Sequence, residues 1–369
     1  MSFLKTLEHR AKDMVFGFCH LFFRKGRRVP VPLDGDRMNK VLFLRPEKIG
    51  DMVISLPVFD ALRFRYPHMK ISVLASPRNY VLVKNDPRFD KIFLYRKWTL
   101  EDFRQLGAIR REKFDCVFDM IDDDSVTTLF YSQLAGSQAV RIGIGKRRHA
   151  IFYDCNHVHA DGVGGHIVDN TLKLLDPFGI REKDTSGFAS PHLTNTAQRR
   201  VDEYLREQPR ESCFLVGLNL SAGKPNRIWP DDRAIELCRH LTAWRRDLRM
   251  IVIVMPKDRE RGERVAAEAG DNTRIIPDRL NLIEVSALIS RLRLLISPDT
   301  SLIHIARSFQ VPVVGLYSRA SKNFQRWRPY RQSDGTVVGS DVDTICDITV
   351  EQVFLQIQEV LSRIERGTI

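Results

Sequence analysis

Three stretches place acidic, hydroxyl and cationic side chains where a loop opens into a helix. In the first, Val41 to Arg65 (VLFLRPEKIGDMVISLPVFDALRFR), Asp51 directly follows Gly50 at the end of the polar loop RPEKIGD. Glycine permits a sharp turn. A carboxylate beside it either caps free backbone N–H groups or points into a cleft and acts on a ligand. In the second, LLISPDTSLIHIARSFQVPVVGLY (294–317), Asp299, Thr300 and Ser301 open a helix and His304 follows one turn in. Amides and hydroxyls at the positive end of a helix make an anion site; the alternative is a plain cap above a buried histidine. The third, SAGKPNRIWP (221–230), carries Ser221, Gly223, Lys224 and Arg227. A glycine-containing loop with cations suits a diphosphate, although a loop of solvated charges has the same composition. Glu260, after MIVIVM and PKDR, could accept hydrogen bonds from ribose hydroxyls.

These residues need a frame. Short apolar runs at Val41 to Leu44, Ile71 to Ala75, Lys91 to Tyr95 and Cys116 to Met120 read as strands, with helical spacing at 55–65, 78–85 and 100–111 between them. VRIGIGKRR (140–148) reads as a further strand ending in glycines and cations. Residues 176 to 198 are rich in Pro, Gly, Ser and Thr and lack periodicity, which marks a boundary. A second series follows, with strands at Phe214 to Asn219, Met250 to Met255, 274–277, 293–297 and 311–316. Its helices are expected at 231–246, 259–269, 281–290 and 301–309, and Glu351 to Arg366 reads as a closing helix. Strands alternating with helices imply parallel sheets covered on both faces, with ligands at the carboxyl ends of the strands. The expected organisation is an N-terminal helix and linker (1–37), a first α/β domain (38–185), a second (186–350) and the closing helix (351–369).

With 369 residues the chain can build two full cores. No apolar run approaches the roughly 18 residues of a membrane-spanning helix, and no secretory signal is visible. Six scattered cysteines without a CxxC pair fit reduced thiols in the cytoplasm. The net charge of +12 calls for an anionic partner, whether nucleic acid, a phosphorylated substrate or a membrane surface. In residues 1–28, Leu4, Leu7, Ala11, Met14, Val15, Phe18, Leu21 and Phe22 share one helical face, and Arg24, Lys25, Arg27 and Arg28 follow. Such a helix lies in a membrane interface or packs on the protein's own surface. No nucleic-acid motif accompanies the charge, so nucleic acid is not an expected partner.

IGDMVISLPVFDALRFRYP, GKPNRIWP and SPDTSLIHIA, in this order and spacing, resemble glycosyltransferase family 9, the ADP-heptose:lipopolysaccharide heptosyltransferases, over roughly residues 40 to 330. The resemblance implies a GT-B fold, two Rossmann-like lobes with a cleft between them, with acceptor on the first lobe and sugar nucleotide on the second. It implies that Asp51 is the general base and that Arg227, where the family usually has lysine, neutralises the departing diphosphate. Glu260 would bind the ribose, and Asp299, Thr300, Ser301 and His304 would lie at the phosphates, with Ser301 in place of the usual glycine. The implied activity is inverting, metal-independent transfer of heptose from ADP-heptose to a lipopolysaccharide core acceptor at the cytoplasmic face of the inner membrane. No cofactor is then expected beyond the ADP-activated sugar itself. The partners would be the nucleotide-sugar donor, an anionic glycolipid acceptor and the inner-membrane surface. The rivals are transfer from another nucleotide sugar or to another acceptor, and non-catalytic binding of nucleotide or glycolipid on the same scaffold.

Arg45, Lys48, Arg78, Lys146, Arg147 and Arg148 are candidates for acceptor contact or solvated surface. The triple acid Asp122-Asp123-Asp124 reads as a solvated or acceptor-contacting loop rather than a metal site. Cys155, His157, His159 and His166 could ligate zinc, but their spacing matches no common motif and unconnected residues are expected.

Overall fold

The computed structural model describes residues 14, 16–17, 19–97, 99–158, 165–206, 214–319 and 324–366. The chain divides into two compact units. One holds the described residues up to 158 together with Asp169–Gly187; the other holds Gly165–Val168 and the described residues from Phe188 onward.

The first unit is built on a parallel sheet of β1 (Lys40–Leu44), β2 (Lys70–Ala75), β3 (Lys91–Leu94), β4 (Cys116–Asp119), β5 (Val140–Ile144) and β6 (Cys155–His157), in the order β3-β2-β1-β4-β5-β6. Between their ends the central strands are apolar because both faces are covered. Phe43 on β1 stacks on Phe118 of β4 at 4.3 Å and meets Phe59 of helix α1 (Ile49–Arg65) edge-on at 4.8 Å. Leu42 and Leu44 face the other way, into a cluster with Leu106 and Ile109 of α2 (Leu100–Glu112) and Tyr131 of α3 (Val126–Leu134). The 3-10 helix Lys173–Phe178 runs into the start of the aperiodic segment, and its Phe178 packs against Phe118 and Tyr66. The first part of that segment therefore belongs to the core of this unit.

The second unit repeats the plan. Strands β7 (Phe214–Asn219), β8 (Leu248–Ile253), β9 (Thr273–Ile275), β10 (Leu294–Pro298), β11 (Val313–Tyr317) and β12 (Thr336–Val338) lie in the order β12-β11-β10-β7-β8-β9. Around them run α4 (Asn195–Arg206), α5 (Asp231–Trp244), α6 (Arg259–Ala269), α7 (Leu282–Ile289), α8 (Ser301–Ser308) and α9 (Val350–Glu365). Leu237, Cys238 and Leu241 of α5 share a buried cluster with Val353, Ile357 and Val360 of α9. The closing helix is thus part of this unit's core, each such side chain contributing roughly 1.5–3 kcal/mol.

Both sheets place the first strand of their series beside the fourth, so each has a reversal of strand order: β1 beside β4 and β7 beside β10. Sheets of this kind bind ligands outside the carboxyl ends of the strands at that point.

Among the described residues, no helix is long and apolar enough to cross a membrane. Of the N-terminal apolar face, Leu4, Leu7, Ala11, Val15 and Phe18 lie outside the described residues. Residues 14, 16, 17 and 19–22 are helical. Met14, Leu21 and Phe22 are exposed, whereas buried Cys19 and its neighbours Phe16 and Phe23 pack with Leu129, Phe152 and Tyr153. Arg24 pairs with Asp154 at 2.8 Å, and Arg27 donates to Gln138. Half of the basic cluster is thereby spent on the fold.

Candidate active site

At the β1/β4 reversal in the first unit, Asp51 occupies the third position of α1. Its Oδ2 accepts from Lys48 N at 3.0 Å, and Oδ1 has no partner among the described residues. The carboxylate caps the helix and still offers one oxygen to a ligand. Arg45, leaving β1, is buried beneath it. Its Nε donates to the Asp51 carbonyl at 3.0 Å, and its Nη1 donates to Glu47 Oε2 at 2.8 Å and to the carbonyl of Met120 after β4. Ser76 Oγ and Asn79 Nδ2 hold the Glu47 carbonyl and the Arg45 carbonyl respectively, each from the end of β2. Burial pushes the Glu47 carboxyl above its ordinary range; Arg45 opposes that shift, and the charge of Asp51 adds to it.

Two expected acceptor contacts are corrected here. Arg45 is 3% exposed, and its guanidinium is committed to the three acceptors just named. Lys146 is fully buried, with Nζ 3.0 Å from Asp119 Oδ2 and donating to the carbonyls of Ile121 at 2.6 Å and Asp123 at 2.7 Å. A buried cation tolerates its desolvation only with such partners, so these two hold the strand ends together. Lys48, Arg78 and Arg147 are exposed. The triple acid is a clamp: Asp124 accepts from the backbone amides of Arg147, Arg148 and His149, which holds its carboxyl below the usual range. Gly145, at φ +63°, lets the chain pass Asp122, whose Oδ1 would lie 1.9 Å from a Cβ placed there.

At the β7/β10 reversal in the second unit, Thr300 caps α8, its Oγ1 accepting from Leu302 N. Asn219 at the end of β7 donates from Nδ2 to Thr300 Oγ1 at 3.1 Å and to Ser297 Oγ at 3.0 Å. Arg227 grips Asp299 twice: Nη1 donates to the carbonyl at 2.9 Å and lies 3.0 Å from Oδ2. Ser301 is partly exposed at the first position of α8. His304 is buried one turn in, its ring 5.6 Å from that of Trp327. The structure therefore brings Arg227, Asp299, Thr300 and Ser301 together at one helix start.

Ser221 is corrected as a donor contact. It is buried, with Oγ donating to Asp258 Oδ2 at 2.6 Å and accepting from Met255 N at 2.8 Å, so its hydroxyl ties two loops instead of facing a ligand. Gly223 has nothing within 4 Å of a notional Cβ, so packing within the protein does not require glycine there. Lys224 is exposed beside it, and Glu260 is exposed in the first turn of α6.

Sequence reasoning missed Arg261, which sets the whole 221–230 loop. Its Nη1 donates to the carbonyl of Leu220 at 2.7 Å and its Nη2 to that of Trp229 at 3.0 Å, clasping both ends. Buried Trp229 donates from Nε1 to Ile348 O at 3.0 Å and anchors the loop to the segment before α9. One arginine in a helix of alternating Arg and Glu carries no sequence signal for such a role. His159 lies outside the described residues, and among those described no group of three or more His, Cys, Asp or Glu is placed to hold a metal. His166 accepts from Val168 N through Nδ1 and pairs through Nε2 with the Arg328 carbonyl at 2.8 Å.

Residues 103–353 match the profile of glycosyltransferase family 9 (heptosyltransferase). Lipopolysaccharide heptosyltransferase 3 of Escherichia coli K12 is 22% identical over 300 residues, covering 77% of this chain and 83% of its own length. Among solved structures, the glycosyl transferase family 9 protein of Veillonella parvula is similar with a TM-score of 0.75 at 18% identity, covering 90% of this chain and 99% of that one. The E. coli heptosyltransferase WaaC with ADP is similar with a TM-score of 0.67 at 16% identity, over 89% and 99% of the two chains.

Proposed function

Because the chain belongs to glycosyltransferase family 9 and carries the two Rossmann-like units of the GT-B fold, we propose that it transfers heptose from ADP-heptose to a lipopolysaccharide core acceptor, with inversion and without a metal. The observation that carries this reading is the Asp51 carboxylate: one oxygen is fixed by the Lys48 amide and the other is unspent, at the strand-order reversal of the first unit. That oxygen takes the proton of the acceptor hydroxyl as the hydroxyl oxygen bonds to the anomeric carbon. The bond from that carbon to the diphosphate breaks, and ADP departs with the electron pair.

Negative charge grows on the departing phosphates. In this reading Arg227, Lys224 and the start of α8 at Thr300 and Ser301 receive it, the part a divalent cation plays in other transferases. Glu260 is assigned to the ribose, His304 to support of the α8 start, and Lys48, Arg78 and Arg147 to the anionic acceptor. The relatives named lipopolysaccharide heptosyltransferases support that acceptor class, and WaaC with ADP supports the donor nucleotide. The exposed Met14, Leu21 and Phe22, with Lys25 and Arg28 nearby, support a peripheral site on the anionic cytoplasmic face of the inner membrane.

Turnover of ADP-heptose against UDP- and GDP-sugars, each with and without EDTA, tests the proposal. We expect heptose transfer from the ADP donor alone, unchanged by the chelator. Arg227 and Ser301, where the family pattern has lysine and glycine, favour the second reading, a different nucleotide sugar, and turnover of another donor would establish it.

A further inference from the structure

Linker residues 27–38, the end of α2 and the turn from α3 into β5 enclose an open groove of about 1090 Å³ in the first unit. It lies at the amino ends of the strands, with Met38 before β1, Asp115 before β4 and Val140 at the start of β5. Asp51 stands at the opposite, carboxyl end of that sheet. Five cations line the groove, Arg27, Arg28, Arg37, Arg110 and Lys113, against two carboxylates. Both carboxylates are engaged: Asp115 accepts from the amides of Asn39 and Lys40 at 2.7 and 2.9 Å, and Asp34 pairs with Arg37 at 3.0 Å. Arg28, Arg110 and Lys113 are exposed and have no carboxylate partner among the described residues. The dipole of α2 favours cations at its end, which accounts for Arg110 and Lys113 but not for the two arginines of the linker. Lys113 also stands at φ +53°, in the left-handed region where glycine is at ease and lysine is strained. Buried Leu33, Phe114 and Val140 give the groove an apolar floor.

The N-terminal helix ends against this groove. Arg24 N donates to Gln133 Oε1 at 3.1 Å, and Gln133 Nε2 donates back to the Arg24 carbonyl at 3.0 Å. Gln133 is a wall of the groove, and exposed Leu21 and Phe22 come three and two residues before that anchor. Apolar side chains that enter a lipid layer therefore stand beside unpaired cations over an apolar floor, which matches the acyl and phosphate ends of a phospholipid. We propose that the groove takes the phosphate headgroup of an anionic phospholipid, with Arg28, Arg110 and Lys113 on the phosphate. The inference rests on the reading of Leu21 and Phe22 as membrane-facing and deepens it: a defined headgroup site, and not net charge alone, selects the anionic surface.

The test compares two double variants of the full chain. Arg110→Gln with Lys113→Gly removes two groove cations; Lys84→Gln with Arg104→Gln removes two exposed cations that do not line the groove. The thermal midpoint of the groove variant should hold, since glycine relieves the strain at residue 113. Its binding to phosphatidylglycerol vesicles at about 0.15 M salt should weaken roughly thirtyfold. The off-groove variant should stay within about twofold of wild type, because that salt screens charges held away from the lipid. Phosphatidylcholine vesicles, which present no net charge, should bind all three proteins alike. Equal losses in the two variants, or no loss in the groove variant, overturn the headgroup site and leave membrane association standing. Calorimetric binding of inorganic phosphate that the groove variant loses while its vesicle binding is unchanged also overturns it, in favour of a soluble phosphate. Failure of the wild-type protein to bind phosphatidylglycerol vesicles at all overturns the membrane reading, and this inference with it.

Discussion

Arg45 Nε donates to the backbone carbonyl of Asp51 across 3.0 Å, so the residue directly after β1 fixes the first turn of the next helix. The same guanidinium reaches Glu47 and the carbonyl after β4, which makes Arg45 the pin between two strands and α1. Arg45→Ala leaves the Met120 carbonyl without this donor and the Glu47 charge without its partner. We expect a loss of about 2–4 kcal/mol, read as a lower urea midpoint, because stranding buried polar groups costs about 1–3 kcal/mol each. Arg45→Lys should recover only part of it, since one ammonium cannot reproduce the planar fork. Wild-type stability in Arg45→Ala would remove the pin.

Asp51 has two tasks that one substitution separates. Asp51→Asn keeps an oxygen to accept from Lys48 N, so the helix start and the fold should persist. The amide cannot take a proton, and transfer should fall about 10²- to 10⁴-fold. ADP binding should stay within twofold, because the donor groups assigned here all belong to the other unit. Transfer at the wild-type rate would end the assignment of Asp51 as base; unchanged transfer with a lower melting temperature would leave it as a cap alone.

The same region shows what could be read from sequence. The loop-to-helix starts at Gly50-Asp51 and Asp299-Thr300 were legible because turn, cap and apolar period agree there. Burial of a cation was not. Lys146 looks like one more member of a surface KRR cluster, and its partners Asp119, Ile121 and Asp123 come from a strand end more than twenty residues earlier. Ser221 was misread for the same reason, its partner Asp258 arriving from beyond β8. Helix α3 (VTTLFYSQL) escaped because β-branched and aromatic residues suit a strand equally well; packing of Leu129 and Tyr131 decides it. β12 offers only three residues, too few to show a period.

Glu112, at the end of α2, sets an acid limit on the first unit. Hydrogen bonds from Lys40 of β1, at 2.8 Å, and Lys91 of β3 hold its carboxyl down at about 2, against an ordinary value of 4.5. A carboxyl lowered on folding stabilises above its unfolded value, and that contribution is lost as pH falls through the folded one. Stability owed to Glu112 should be complete above about pH 4.5 and decline toward pH 2. Urea midpoints of wild type and Glu112→Gln should differ at pH 6 and converge near pH 2. A constant difference over that range would show that the lysines do not act through its charge.

The N-terminal segment faces two ways, and the two faces predict opposite results. Cys19 and Arg24 bind it to the first unit, Arg24 through the buried Asp154 carboxylate. Deleting residues 1–28 removes the Arg24 ion pair from that carboxylate, which keeps only the Arg141 amide, and should lower the thermal midpoint by several degrees, whatever the membrane does. Leu21 and Phe22 are 79% and 70% exposed, so replacing both with Asp should leave the midpoint nearly unchanged. It should, however, remove apolar area from a membrane-facing surface and add charge that an anionic lipid repels. Co-sedimentation with phosphatidylglycerol vesicles should then drop at least tenfold, and transfer to a short soluble acceptor should be kept. Vesicle binding equal to wild type in the double Asp variant would show that the exposed apolar side chains do not contact the lipid.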